Sequence, residues 1–197
     1  MIATVISLQA QHRLTAEFGG GVAVPIGDTN QRAKVGFSFA AAAGPRLTNR
    51  FSALLDFTFH GLDVNALENS SGNPRVDAQM YLWSLTANPD FQFIKTERFS
   101  SYVTGGYGLY YRWLELTRAD FGSGVVCDAW WSLCSTPFNV DGNLFNGIRS
   151  TYKGGVNAGG GFTYGTNKKF FAEVRYHRMF TTRQPTELLP IIVGVRW

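Results

Sequence analysis

Residues 188–197, LLPIIVGVRW, decide how this chain is read. Ile191, Val193, Val195 and Trp197 fall on one side of an extended strand, with Gly194 and Arg196 on the other. Side chains at every second position share a face only in a strand. The run finishes on a large aromatic ring, at a position where a chain end ordinarily frays in water. A last strand that is apolar to its final residue calls for a partner strand that holds it there.

The same period of two runs through the chain. In FFAEVRYHRMF (170–180), Phe170, Ala172, Val174 and Tyr176 share one face, and Glu173, Arg175 and His177 share the other. In FSALLDFTFH (51–60), Phe51, Ala53, Leu55, Phe57 and Phe59 oppose Ser52, Asp56, Thr58 and His60. A repeat accompanies the alternation: TNRFSALLDF (48–57), TERFSSYVTG (96–105) and TNKKFFAEVR (166–175) each place a threonine and a basic residue just before a strand-opening phenylalanine. Three equivalent polar turns imply three hairpins. The connections near 26–32, 62–76, 117–150 and 181–187 are longer and more polar. The pattern predicts eight strands at 13–24, 33–43, 51–61, 77–93, 99–116, 151–164, 169–180 and 188–197, with short turns at one end and long loops at the other.

Composition narrows the class. Charged residues make up 16% of the chain, against roughly 25% in a typical soluble domain. Hydrophobic residues reach 45%, aromatics 15%, and there are 22 glycines. No stretch approaches the roughly 18 apolar residues of a membrane-spanning helix. The net charge of +4 is scattered, unlike the clustered Lys and Arg of a nucleic-acid binder. The glycine runs FGGGVAV and AGGGF lack the Lys-Ser/Thr and helix of a phosphate loop and fit close packing in a tightly curved sheet. Residues 1–12 read as a leader remnant or a disordered N-terminus, and 13–197 as one domain.

The second face decides which way the sheet turns. In YKGGVNAGGGFTYG (152–165) it carries Lys153, Gly155, Asn157, Gly159, Gly161 and Thr163, a small and polar set too sparse in charge for a solvated exterior. It suits the lumen of a narrow barrel. The opposite face is nearly free of charge. Its rings gather near the strand ends: Phe51, Phe99, Phe170 and Trp197 toward the short turns, and Tyr111, Trp113, Tyr152 and Phe180 toward the loops. Two ring belts around an apolar band are what a bilayer selects. The expectation is all-β: an eight-stranded antiparallel up-and-down transmembrane barrel with short periplasmic turns and long extracellular loops.

GGVNAGGGFTYGTNKKFFAEVRYHRMF and the terminal LPIIVGVRW resemble the last three strands of the OmpA-like family of small bacterial outer-membrane β-barrels. The resemblance extends over the chain from about residue 13. It implies a monomer in the outer membrane of a Gram-negative bacterium, surrounded by membrane lipids and lipopolysaccharide. It also implies that Ile191, Val193, Val195 and Trp197 act as the signal read by the barrel-assembly machinery.

The inward phase holds Glu17, Lys34, Asp56, His60, Arg112, Lys153, Glu173, Arg175, His177 and Arg196. The acids and Arg175 are expected nearer the short turns, and Lys34, His60, Arg112 and Lys153 toward the loops. Such a set forms either a plug of paired charges or a narrow anion-preferring path through a basic upper half. No Ser/His/acid set converges, since Met179, not serine, stands two places after His177; the reading is not an enzyme, and no cofactor or metal is implied. In the 117–150 connection, Phe121, Trp130, Trp131 and Phe138 form a candidate contact surface for an extracellular partner. Cys127 and Cys134 lie close enough in sequence to bridge there in an oxidising compartment. The functional expectation is a structural or adhesion-like surface protein. A small pore, a soluble lipid-binding barrel and a lipid A-modifying barrel are the alternatives.

Overall fold

The structure, a computed structural model, describes residues 14–64, 77–118, 126–128, 133–135, 147–181 and 184–197. The N-terminal segment 1–12 lies outside the described residues. The strands are β1 (Leu14–Pro25), β2 (Gly36–Pro45), β3 (Phe51–Asp63), β4 (Asp77–Lys95) and β5 (Phe99–Arg118). A short pair, β6 (Val126–Asp128) and β7 (Leu133–Ser135), precedes β8 (Gly147–Gly165), β9 (Lys169–Met179) and β10 (Thr186–Arg196). Eight of them close into one antiparallel barrel in the order β1-β10-β9-β8-β5-β4-β3-β2, and β6 and β7 form a ribbon of their own.

The seam lies between first and last strands. Glu17 stands opposite Arg196 and Phe18 opposite Val195. Beyond them, the backbone N–H and C=O of Trp197 bond the C=O and N–H of Ala16, both at 2.9 Å. The final residue is therefore tied into the sheet, which leaves no open edge at the seam.

Two of the three repeated turns share a mechanism. The Thr48 hydroxyl accepts from the N–H groups of Arg50 (3.2 Å) and Phe51 (3.0 Å), and the Thr96 hydroxyl accepts from the N–H of Phe99 (3.0 Å). A threonine that bonds the backbone a few residues on offers a ready-made turn. The third turn, one lysine longer, follows Gly165 at φ 134°, a conformation open to glycine.

The barrel is apolar outside and charged inside. Leu55, Val193 and Phe170 are 57%, 60% and 71% exposed, whereas Asp56, Glu173 and Arg175 are 1%, 4% and 4% exposed. A soluble lipid carrier would show the reverse, so that alternative falls. The rings also exceed two belts. Phe39, Phe59, Trp83 and Tyr111 occupy successive register positions across β2–β5, and Phe59 lies 4.6 Å from Trp83 and 5.9 Å from Tyr81. Cross-strand aromatic pairs of this kind add about 0.2–1 kcal/mol each.

Strand ends shift by up to four residues from expectation, and two departures matter most. The sixth barrel strand begins at Gly147, not 151, because pairing of Leu114 with Arg149 and Leu116 with Gly147 supplies a partner that local sequence does not announce. The ribbon of β6 and β7 sits within the 117–150 connection, where no strand was expected.

A charge placed on the lipid face between the ring belts tests the inversion. Leu55→Arg is expected to lower stability by about 2–4 kcal/mol in reversible urea unfolding from lipid vesicles. An unchanged midpoint would show that Leu55 does not face hydrocarbon.

Candidate functional site

Alternation sends every second side chain of eight strands into one narrow lumen, and those side chains sort into three tiers. Nearest the short turns is an ionic tier built on two guanidinium groups. Arg175 from β9 bonds Asp56 of β3 and, at 2.7 Å, Glu173 of its own strand. Arg196 from β10 bonds Glu17 of β1 at 2.6 Å and Asp90 of β4 at 2.9 Å. The Tyr102 hydroxyl donates to Glu173 at 3.0 Å, and the Arg196 guanidinium lies 4.1 Å from the centre of the Tyr102 ring. Both arginines thus span strands far apart in sequence and fix the barrel's cross-section. Charges buried this deeply persist only when paired and hydrogen-bonded.

Glycines on β8 make room for these groups. A Cβ on Gly161 would lie 2.9 Å from the Tyr102 hydroxyl, and one on Gly155 would lie 2.7 Å from the Tyr110 ring. Gly161 of the AGGGF run, and Gly155 before it, are therefore recesses for inward rings.

The middle tier is neutral. Ser38 bonds His60 at 2.9 Å, Tyr110 bonds His177 at 3.0 Å, and Thr58 bonds Ser84 at 2.6 Å. The two imidazoles meet edge to face with centres 5.4 Å apart. A Ser–His contact does form here, but no acid bonds the other ring nitrogen of His60, so it is not the Ser/His/acid set that the sequence was searched for. Ser38 and His60 are direct cross-strand partners, both fully buried in the lumen, so the contact serves packing.

Toward the loops the lumen becomes apolar. Leu62, Met80, Leu82, Leu114, Met179 and Leu188 belong to one buried cluster with Tyr110. Arg112 lies at this level and donates to Thr186 at 2.9 Å. The expected basic upper half is thus corrected. Lys34 and Lys153 are exposed, and aliphatic side chains fill the lumen at their level. The cause is legible in hindsight: in MYLWSL (80–85) both faces are apolar near the loop end, so alternation no longer separates inside from outside.

Of the lumen residues expected from sequence, Glu17, Asp56, Glu173, Arg175 and Arg196 meet in the ionic tier, and His60 and His177 meet in the middle tier. Asp90 was missed. It shares the inward phase of Ser84, Thr86 and Asn88, but an Asn-Pro-Asp run also fits a turn. Ile191, Val193 and Trp197 are exposed on the lipid face, and Val195 is half-buried beside them. Phe121, Trp130, Trp131 and Phe138 lie outside the described residues. The backbone places Cys127 directly opposite Cys134 in the β6–β7 ribbon.

Above the lumen, three strands stand higher than the rest. β4, β5 and β8 have 19, 20 and 19 residues, whereas β1, β2, β3, β9 and β10 have 12, 10, 13, 11 and 11. The pairing of β5 with β8 continues to Leu116 and Gly147, while β9 leaves β8 after Met179 and Gly155. From Gly155, where β9 leaves, β8 runs eight residues further to Gly147, about 26 Å along the strand at ~3.3 Å per residue and about 20 Å of height at a tilt near 40°.

No family model and no curated protein sequence matches the chain. Solved structures do match. Neisserial surface protein A (NspA) is 16% identical over 93% of this chain and 95% of its own, with a TM-score of 0.54. Ail, the attachment invasion locus protein of Yersinia pestis, solved with the heparin analogue sucrose octasulfate, is 14% identical over 94% and 99%, with a TM-score of 0.51. The outer membrane protein OprG of Pseudomonas aeruginosa is 11% identical over 93% and 95%, with a TM-score of 0.50. At these identities the likeness is one of fold, and the fold is that of small eight-stranded barrels of the bacterial outer membrane.

Proposed function

We propose that this chain is a non-enzymatic outer-membrane protein whose sealed barrel carries a raised contact surface outside the cell. The observation that supports this reading most is the filled lumen. An ionic tier, a neutral tier and an aliphatic tier follow one another along its axis, and an eight-stranded interior is only wide enough for side chains to fill. A barrel closed in this way serves as an anchor, and the variable chemistry moves to the loops.

The contact surface is the 117–150 connection, held up by the long ends of β4, β5 and β8. Trp130 and Trp131, with Phe121 and Phe138, supply the aromatic anchors that dominate binding surfaces. Cys127 and Cys134, opposite one another in the ribbon, staple it. Residues directly opposite on paired strands have the separation a disulfide needs. Below, Ile191, Val193, Val195 and Trp197 present the assembly signal on the lipid face, and lipopolysaccharide surrounds the upper ring belt. Among proteins of this fold, Ail is named for attachment and NspA for its surface position, which agrees with a role exercised at the loops.

Four outcomes are expected. Purified protein in planar bilayers gives no discrete ion-selective openings; openings altered by Arg175→Met would favour a pore instead. A variant lacking 120–146 still shows the heat-modifiable gel shift of a closed barrel, while cells displaying it lose adhesion to glycan- and protein-coated surfaces; retained adhesion would remove the loop from the reading. Unreduced protein unfolded in denaturant shows no titratable thiol, and Cys127→Ser exposes one. Arg175→Met, by stranding Asp56 and Glu173, costs about 3–5 kcal/mol in urea unfolding, and adding Asp56→Asn and Glu173→Gln recovers most of it.

A further inference from the structure

The wall of the barrel ends unevenly. Strand β8 keeps β5 as its neighbour as far as Gly147, but β9 pairs with it only up to Gly155. The last bond across that side runs from the Phe180 N–H to the Gly154 carbonyl, at 2.9 Å. There the chain turns away. The Thr181 N–H bonds the Met179 carbonyl at 3.0 Å, the Thr181 hydroxyl donates to the Gln184 carbonyl, and β10 begins by pairing Thr186 with Met179. Among the described residues, no strand takes the place beside β8 that β9 leaves.

The direction of the backbone groups follows from the pairing. In an antiparallel strand the N–H and C=O of one residue point to the same side, and successive residues point to opposite sides. The Gly154 carbonyl points toward β9. The polar groups of Tyr152, Ser150 and Ile148 therefore point to the side without a strand, while those of Thr151 and Lys153 point to β5. This is a free sheet edge. Unpaired groups of this kind are not tolerated in hydrocarbon, and the edge starts where hydrocarbon ends: the Tyr152 ring lies 4.4 Å from that of Tyr111 in the upper belt, and Ser150 and Ile148 stand beyond it. Tyr152, Ser150 and Lys153 are all exposed.

A free edge pairs with an extended chain that reaches it, and the side chains beside it select which chain that is. Lys153 shares the face of its partner Tyr110, the face that continues the lumen, and Arg149, opposite Leu114, has the same phase. Among the described residues no carboxylate pairs with Lys153. Glu115, opposite Ile148, belongs to the other face. A second copy of this strand is a poor match, because the antiparallel register of longest overlap sets Lys153 against Arg149, and like charges directly opposite destabilise a pair. An acidic strand meets opposite charges at the same positions.

We propose that residues 148–153 are a docking edge for an extended acidic segment of a partner protein, which adds as a strand beside β8 with its carboxylates on the phase of Lys153 and Arg149. The inference deepens the reading of a raised contact surface outside the cell and rests on it. It gives that surface a mode of recognition, with main-chain bonds for affinity and two cations for choice.

The probe is a short peptide that alternates glutamate with threonine, labelled with a fluorophore and titrated by polarisation against the folded full-length chain in zwitterionic micelles. The heat-modifiable gel shift, measured first, reports the barrel itself, so failure to fold counts against the membrane reading and not the edge. Binding is expected to be about tenfold or more tighter than for a lysine–threonine counterpart and to weaken as salt is raised. With glutamates on the phase of Lys153, the threonines stand opposite Tyr152 and Ser150 and make the ladder bonds. Methylating the threonine nitrogens is therefore expected to weaken binding about tenfold or more, and methylating the glutamate nitrogens to change it by no more than about twofold. Ser150→Pro, which removes an edge N–H and no bond to β5, is expected to act like threonine methylation. Arg149→Gln/Lys153→Gln is expected to erase the preference for glutamate over lysine, and it serves if Ser150→Pro does not fold.

Absent or equal binding of the two peptides, equal sensitivity to the two methylations, or unchanged binding and preference in the folded variants would overturn the proposal. A sulfated oligosaccharide that displaces the peptide and is indifferent to Ser150→Pro would assign the cations to a glycan and overturn it, as would a wild-type dimer in sedimentation that Ser150→Pro dissolves. The deletion of 120–146 keeps residues 147–153, so the two readings fail separately. Adhesion retained by that deletion removes the loop, whereas a peptide not captured by folded wild type removes the edge.

Discussion

Hydrocarbon offers no partner to a peptide N–H or C=O, and that constraint governs this molecule. Each such group left unpaired in a bilayer costs several kcal/mol, so a sheet within it has to close. The bond pairs between Ala16 and Trp197, and the register that sets Glu17 against Arg196, are the closure. Once the cylinder is shut, everything else has its side assigned. Leu55, Val193 and Phe170 face lipid, and the charged residues of the alternate phase have nowhere to go but inward.

That inward set is arranged by chemistry. Four carboxylates share two arginines near the short turns, hydroxyls and imidazoles pair off above them, and aliphatic side chains complete the fill. Each arginine joins strands from opposite parts of the sequence, so the ionic tier specifies one cross-section where a purely aliphatic filling would tolerate several. Buried ion pairs are weak sources of net stability, and selecting one arrangement is the use best attested for them. Rigidity below then lets β4, β5 and β8 rise above the membrane without loosening the wall.

Much of this was legible in the residues. Strict alternation in 170–180 and 188–197 carried the strands, their faces and the identity of Glu173, Arg175 and Arg196 as lumen groups. The repeated turns marked three hairpins, and in two of them a threonine hydroxyl bonds the backbone locally, an interaction that needs no tertiary context. What escaped depended on partners. Gly147–Ser150 extends only because β5 runs beside it. The aliphatic tier was hidden because Leu62, Met80 and Leu82 sit where both faces are apolar, and period two carries no sign there. Asp90 was obscured by Pro89, which belongs to a turn by local preference and to a strand by its pairing with Ala53.

The seam has a consequence for how the molecule comes into being. Arg196 grips Glu17 across 179 positions of chain, whereas β4 and β5 meet through a hairpin of three residues, Thr96–Arg98. Hairpins can form while the polymer is still being made or moved, but the ring cannot be completed until its first and last segments find each other. Contacts of such long range are slow, because loop entropy is lost before any bond repays it. Through that interval the future edge strands remain unmated and adhesive, so the nascent molecule has to be kept apart from its own kind until the circle joins.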